Sequence, residues 1–397
     1  MSYLQTITAK DMRRINRSCI LEVIRTESPI SRSAIAEKLG VSLPTVMRIV
    51  DELIEENLVL PNGEKEWSGG RKRSLLRFNA EGHIVIGVDL GGTKMFAALA
   101  DLAGNILDEI TLPQHGTSGK ESYEQIAKMI ETLLTSPKLK DQHIQGVGIG
   151  APGVTQHKEG IIDWAPSLNW RNFPLKSKLH ERLKLPVAVD NDVNLAALGE
   201  LWFGAGRNIK NFVLITIGTG IGSGIVINGA LYRGAHQASG EIGYMLPGKE
   251  YVGQRFDEFG ALENLASGNG IAQRSRKALQ GKVSPEKLNE ITAEDAFMAA
   301  RDGEEWAVKV IEETVEYLAI AVANVSACFD PELIILGGGV ARSADLLIEP
   351  ILKKLDGALQ VPPKIVTSAL GQRAAVMGAI ANVLHNTADF YIVHKLS

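Results

Sequence analysis

The chain has 397 residues, 45% apolar and 22% charged, with 40 Gly and 15 Pro, which is enough for two or three domains and excludes collagen-like, low-complexity and disordered chains. No run of 18 apolar residues predicts a membrane-spanning helix, no apolar N-terminal core predicts a secretion signal, and two distant cysteines, Cys19 and Cys328, exclude a disulfide framework, so the expected setting is a reducing cytoplasm. The net charge of −4 is uneven: residues 1–80 hold 13 Lys+Arg against 10 Asp+Glu, or +3, and the rest hold 29 against 36, or −7, so a basic head on an acidic body permits DNA binding without establishing it.

The head reads as helices first. Residues 11–26 place Met12, Ile15, Cys19, Ile20 and Val23 at helical spacing. Ser28 and Pro29 end that helix. Ser31 caps a second helix, which stops at Gly40. After a short turn Ser42 caps a third, with Pro44 tolerated in its first turn. Helix, short Gly-bearing turn, helix is the helix-turn-helix pattern. Two strands, 58–60 and 74–78, then flank a Gly-rich basic loop, and together they read as a β-wing.

The body opens with a strand, HIVIGVDL, that runs into GGTK and a second strand, MFAALAD. Residues 121–135 read as an amphipathic helix. QGVGIGAPG and PVAVDND read as strands, and a helix starts near Val193. FVLITIG, the Gly-rich turn TGIGSG and the strand IVING begin a second, similar series. Helices fill 262–329, the strand ELIILGGG follows, and RAAVMGAIANVLH closes the chain as a helix. The repeated opening points to two α/β lobes with a cleft between them. The expected division is a winged helix-turn-helix over 1–80, a first lobe over 81–190 to which the C-terminal segment 372–397 returns, and a second lobe over 191–371.

Several groups of residues carry chemistry. Ser42, Thr45 and Arg48 fall near the N-terminal end of the third helix, where short polar side chains reach base edges; Leu43 and Met47 can meet thymine methyls. Arg71, Lys72 and Arg73 at the wing tip suit phosphate or a narrow minor groove. A helical protein-contact module with an incidental basic loop is the blander alternative. DLGGTK (89–94) offers Gly91 and Gly92 for close backbone approach to phosphate, the Thr93 hydroxyl, Lys94, and Asp89 for a hydrated Mg²⁺. A tight hairpin favours Gly-Gly equally well. GTGIGSG (218–224), with Thr219 and Gly220, is a second such turn, and Gly338 and Gly339 lie in a third. Asp190, Asn191 and Asp192 end a strand. Asp192 can take a proton from a sugar hydroxyl and Asn191 can bond hydroxyls. Capping the next helix is the competing role, assigned here to Asp190. Glu241, Tyr244 and Glu263 can line a polyol site or lie on the surface. The histidines, His236 included, lack metal-ligand spacing.

In this order the residues carry a resemblance. From about Glu81 onward DLGGTK, APG, VDNDVN, GTGIGSG, LYRG, SGEIG, ALE and LGGG resemble the ROK family of repressors and sugar kinases, and the head resembles the winged helix that its repressors carry. The resemblance implies an actin-like, hexokinase-type fold with sugar in the interlobe cleft. It implies Asp192 as catalytic base in a kinase, with Gly153, Ser167, Asn191, Glu241, Tyr244 and Glu263 around the sugar, and Asp89 with the three Gly turns at ATP. The family's zinc ligands are replaced: Tyr244, Gln254, Phe256 and Ala261 stand at those positions. No zinc is therefore expected, and burial of Tyr251, Phe256 and Phe259 is expected to hold the loop 248–260 instead.

The function read from these residues is a sugar-responsive transcriptional repressor. Its expected partners are an inverted-repeat operator and a monosaccharide or phosphosugar, with no membrane, and its expected state is a homodimer or higher homo-oligomer, with the helix 304–328 as interface or core. No cofactor is required by that reading. The alternative is a sugar kinase with a DNA-binding head, which would need ATP and Mg²⁺.

Overall fold

The computed structural model describes residues 8–68, 71–114, 118–140, 142–256 and 259–387. In the head, Thr8 and Asp11 form a reciprocal capping box for α1 (Ala9–Glu27). β1 (Ile30–Ser31) leads to α2 (Arg32–Leu39), capped by Ser31 and closed by Gly40 at φ +63. The Ser42 hydroxyl accepts from Thr45 N at the start of α3 (Leu43–Glu55). Val46, Ile49, Val50 and Leu53 bury one face of α3 against Ile20, Ile24 and Ile35. β2 (Val59–Ser68) and β3 (Arg71–Phe78) pair antiparallel, with β1 on the far side of β3. The wing strands are therefore longer than the expected 58–60 and 74–78. A register shift between Pro61 and Lys65 absorbs the turn-like run PNGE, and Arg71, Lys72 and Arg73 belong to a strand rather than a loop.

Two five-stranded sheets of the same plan follow. The first joins β4 (His83–Leu90), β5 (Lys94–Asp101) and β6 (Ile106–Pro113), then α4 (Gly119–Leu134) and β7 (His143–Ala151). A small sheet of β8 (Val154–Gln156), β9 (Ile161–Ala165) and β10 (Trp170–Phe173) precedes α5 (Leu175–Leu183) and β11 (Val187–Asn191). Strand order is β11-β7-β4-β5-β6, with β7 and β11 parallel to their neighbours. After α6 (Asp192–Phe203) the second sheet joins β12 (Phe212–Ile217), β13 (Ile221–Ile227) and β14 (Ala230–Leu231). Helices α7 (Ala261–Ala266), α8 (Gly268–Leu279), α9 (Pro285–Glu290), α10 (Ala293–Arg301) and α11 (Glu305–Phe329) come next. β15 (Leu333–Gly337), α12 (Ile348–Lys354), β16 (Ile365–Thr367) and α13 (Ala374–Thr387) complete the chain. The order β14-β13-β12-β15-β16 repeats the first sheet's order. The likeness of the two series is thus one of topology: three antiparallel strands, then two crossovers to parallel strands. α11 buries Val310, Val315, Leu318, Val322 and Val325 in the second lobe's core, while Ile320 is exposed.

α13 packs on β4, β7 and β11 of the first sheet and crosses α6, which also packs on β13 of the second. Glycine permits these approaches. A Cβ on Gly87 would lie 2.6 Å from the Val376 carbonyl of α13, and one on Gly224 2.9 Å from the Val193 carbonyl of α6. Gly222 and Gly224 thus belong to β13 and to its helix contact, so the turn between β12 and β13 is only 218–220. No helix among the described residues is long and apolar enough to cross a membrane.

Candidate functional site

The recognition helix α3 presents Ser42, Leu43, Met47 and Arg48 to solvent, with Leu43 43% and Met47 47% exposed. Ser42 Oγ is 2.8 Å from Thr45 Oγ1. One side of α3 is therefore core and the other is free for a groove. Residues 69 and 70 and the side chains of 71–73 lie outside the described part of the wing.

In the body, the β4–β5 turn faces the β12–β13 turn: a Cβ on Gly92 would lie 3.6 Å from Thr219 Oγ1. Gly91 stands 2.8 Å, at its would-be Cβ, from the Lys94 carbonyl, and Thr93 is exposed. Lys94 Nζ donates to Gln372 Oε1 at 2.8 Å. Gly268 N donates to Gly218 O at 2.7 Å. Gly338, at φ +84, lies against the backbone of Ile217. The three Gly turns thus meet at one end of the cleft, and open space lies beside Gly218 and Gly339 where side chains would stand.

The acids gather beside them. Asp192 opens α6, and its Oδ1 accepts from Val193 N at 2.9 Å. Desolvation, then the charges of Asp89 and Glu241, push its carboxyl up to about 8. Desolvation raises Asp89 to about 6 against the pull of Lys94. Glu263 is raised to about 7 by desolvation and Glu241, although it accepts from Ile221 N–H. Its Oε1 and Oε2 lie 2.8 and 2.6 Å from where Gly220 and Gly243 would carry a Cβ, so it sits between the β12–β13 turn and the Glu241 segment. Desolvation raises Glu241. Tyr244 is 58% exposed, and its phenol is raised by desolvation and by Glu241 and Glu263 beside it.

Asn191, not Asp190, caps α6: its Oδ1 accepts from Val193 N and Asn194 N, both at 3.0 Å. Its Nδ2 donates to Gly153 O at 3.0 Å, which holds the loop that Gly153 turns at φ +82. Asp190 is almost fully buried, and its Oδ2 accepts from Arg233 Nη2 at 2.6 Å. This bridge, and His157 Nδ1 to Gln237 Oε1 at 2.7 Å, join the two lobes. Sequence reading missed both, because the partners lie 43 and 80 residues apart and no local pattern pairs them. Ser167 is exposed on the turn Pro166–Leu168, away from any bond to the acids, and its carbonyl accepts from Gln114 Nε2.

The positions of a family zinc do not fit a metal. Tyr244, Gln254, Phe256 and Ala261 supply no thiolate or imidazole, and among the described residues no three His, Cys, Asp or Glu are grouped to hold an ion. The aromatic packing expected in their place is only partial. Tyr251 Oη lies 3.5 Å from Tyr317 Oη, but Phe259 remains 41% exposed.

The model of the ROK family matches residues 85–386. The chain belongs to the ROK family. A winged helix-turn-helix DNA-binding model matches 16–59 ahead of the ROK body. The xylose repressor of Caldicellulosiruptor bescii is 30% identical over 389 residues, 96% of this chain and 98% of that protein. The glucokinase of Halalkalibacterium halodurans is 37% identical over 307 residues, 74% of this chain and 92% of its own length. A ROK family transcriptional regulator, a homologue of the E. coli Mlc protein, has a similar structure with a TM-score of 0.83 at 27% identity, covering 96% of this chain and 97% of that one. A ROK glucokinase from Streptomyces griseus, in complex with glucose and AMPPNP, aligns at a TM-score of 0.65 and 29% identity over 75% of this chain and 98% of its own. The repressor-type relatives thus span head and body, and the kinases span the ROK body alone.

Proposed function

We propose that the chain is a transcriptional repressor that reads an inverted-repeat operator as a homodimer and responds to a neutral monosaccharide in the interlobe cleft. The observation that carries this reading is the fusion itself. A recognition helix with a free polar and apolar face is built onto a cleft lined by four carboxyls and a phenol. Two-fold pairing of heads fits paired half-sites. Carboxyls and carbonyls accept from sugar hydroxyls, and a carboxyl raised to about 8 donates to them as well at neutral pH. A phosphosugar fits less well, because Arg233 is already held by buried Asp190 and the remaining groups repel an anion. Two of the relatives that match end to end are named xylose repressors, which puts D-xylose first among sugars to test.

A kinase reading rests on the open space beside Gly218 and Gly339. Backbone N–H groups there, with Thr93 and Thr219, would hold ATP, and Asp89 its hydrated Mg²⁺. Bound ATP would supply the phosphoryl group, and Asp192 would take the hydroxyl proton. One experiment separates the readings: thermal shifts with D-xylose, D-glucose and glucose 6-phosphate, each with and without ATP–Mg²⁺, followed by assay for phosphosugar. A free sugar that stabilises the chain by RT ln(1 + [L]/Kd) without turnover supports the repressor. Turnover abolished by Asp192→Asn supports the kinase. Stabilisation by glucose 6-phosphate alone overturns the neutral-sugar reading.

A further inference from the structure

The head is joined to the body by four residues, 79–82, by Arg25 of α1, which lies 5.1 Å over the Trp202 ring of α6, by a shared apolar cluster, and by the polar cluster around Asn57. Asn57, just past the end of α3, has φ +60, which turns its backbone toward the body. Its carbonyl accepts from Asn79 Nδ2 at 2.7 Å and from His83 Nε2 at 3.0 Å. His83 is the first residue of β4 and only 2% exposed. Its Nδ1 lies 2.5 Å from Gln145 Nε2. The Gln145 amide donates there, so Nδ1 is the acceptor and Nε2 carries the hydrogen that bonds Asn57. Burial lowers the imidazole's basicity, which favours this neutral form.

Gln145 is placed for this contact by a bulge. In the β4–β7 ladder His83 pairs with His143 and Ile84 with Ile144, but Val85 pairs with Gly146. Gln145 is the extra residue, and bulges re-aim side chains in this way. Gly146 is required beside it, because a Cβ there would lie 2.6 Å from the Pro186 carbonyl.

The same two strands end at the cleft. β4 runs from His83 to the turn with Asp89 and Gly91, and β7 runs from Gln145 to Ala151 and the Gly153 loop. The distance is roughly 20 Å at 3.3 Å per residue. We infer that the Asn57–His83–Gln145 contact is the joint through which the β4–β7 pair couples the recognition helix to the cleft, with Gln145 as its positioning residue. A shift of β7 relative to β4 changes the contact at one end and the Gly153 loop at the other. Coupling between sites is reciprocal, so operator binding must be felt at the cleft.

That reciprocity gives a test that needs no sugar. Hydrogen exchange of the full-length protein is followed with and without a duplex that it has selected from a random pool. In the wild type the duplex should change exchange at amides 150–155 at least threefold. Gln145→Met keeps the volume and removes the amide. It should retain duplex affinity within about twofold and lose the change at 150–155. His83→Phe, which keeps a planar ring but offers neither partner a nitrogen, should do the same and stands in if the first variant folds poorly. The inference is overturned if either folded variant keeps the full change, if the wild type shows none, or if both variants lose duplex affinity more than fivefold, which would make the cluster a support of the head alone.

Discussion

Asp192 is held in two roles that pull against each other. In the proposed function its carboxyl serves a hydroxyl ligand, but beside the acids Asp89 and Glu241 it burdens the sugar-free protein. Its native value is about 8 against 3.8 for the free side chain. An acid with a raised native value keeps its proton longer folded than unfolded. From about pH 4 to pH 8 the native state then binds more protons, and stability falls as pH rises. Glu263, at about 7, adds to the same slope. Asp192→Asn should therefore flatten the fall and raise the Tm of the sugar-free protein above pH 8, while removing the group most central to the cleft. A wild-type Tm that stays level from pH 5 to pH 9 would contradict this. Glu241 opens to the cleft, and its loss should be felt by ligand rather than by the fold. Glu241→Gln should weaken sugar binding by roughly 1.5–3 kcal/mol, as for a charge-assisted bond, with little change in Tm; calorimetric titration with D-xylose measures it.

The recognition helix has a bonded start and a free face. Ser42 Oγ accepts from Thr45 N at 3.4 Å, so Ser42→Ala should cost the head about 1 kcal/mol and lower operator affinity only modestly. Arg48→Ala should leave the Tm unchanged and relax base preference at one position of each half-site by about 1–3 kcal/mol; selection from a random duplex pool reads both. These elements were legible in sequence because their signals are local. Ser31, Gly40 and Ser42 stand where caps are needed, and HIVIGVDL and FVLITIG are apolar enough to be buried strands. Less legible were features set by contact between distant segments. PNGE reads as the start of the wing loop, yet β2 continues past it and pairs with β3 again from Lys65 after a register shift. Gly222 and Gly224 read as part of one Gly-rich turn, yet they lie in β13 and make room for α6. Asp190 and Asn191 are equal as caps on paper, and Arg233 decides between them by drawing Asp190 into an ion pair. For Phe259, apolarity alone suggested burial, but the neighbouring structure leaves it exposed.

At the scale of the whole molecule, the basic head and acidic body predict a binding that salt weakens. Removing one cation that neutralises a DNA phosphate should make the slope of log K against log salt shallower by about 0.9. Arg71→Ala should weaken all duplexes alike and reduce that slope, whereas Arg48→Ala should act on one base position. Equal effects of the two on every duplex would remove α3 from the groove.

Beside the Asp190–Arg233 and His157–Gln237 links, a helix crossing joins the lobes, and it is made of glycine. A Cβ on Gly378 of α13 would collide with the Leu195 carbonyl of α6, and one on Gly199 would lie 3.0 Å from Gly378 N. α6 in turn lies on β13 at Gly222 and Gly224, and α13 lies on β4 and β7 at Gly87 and Gly148. At Gly87, Gly148, Gly199 and Gly378 the nearest atoms are backbone rather than flexible side chains, so an added methyl there cannot be relieved by a rotamer change. It must move a helix, and with the helix a sheet. Overpacking costs about 1–3 kcal/mol, and more where the backbone must shift. Gly378→Ala should therefore lower the urea midpoint of both lobes together and alter the spacing of the acids across the cleft, weakening D-xylose binding as well. Gly339→Ala is the matched control. Its φ is −64 and nothing lies within 4 Å of its would-be Cβ, so stability and sugar binding should both be kept. If the chain binds nucleotide at all, that methyl enters the open space, and weakened binding of AMPPNP would appear without any change in the urea midpoint. A Gly378→Ala protein as stable as the wild type would mean that the helices slide past each other freely, and the crossing would not be what holds the lobes in register.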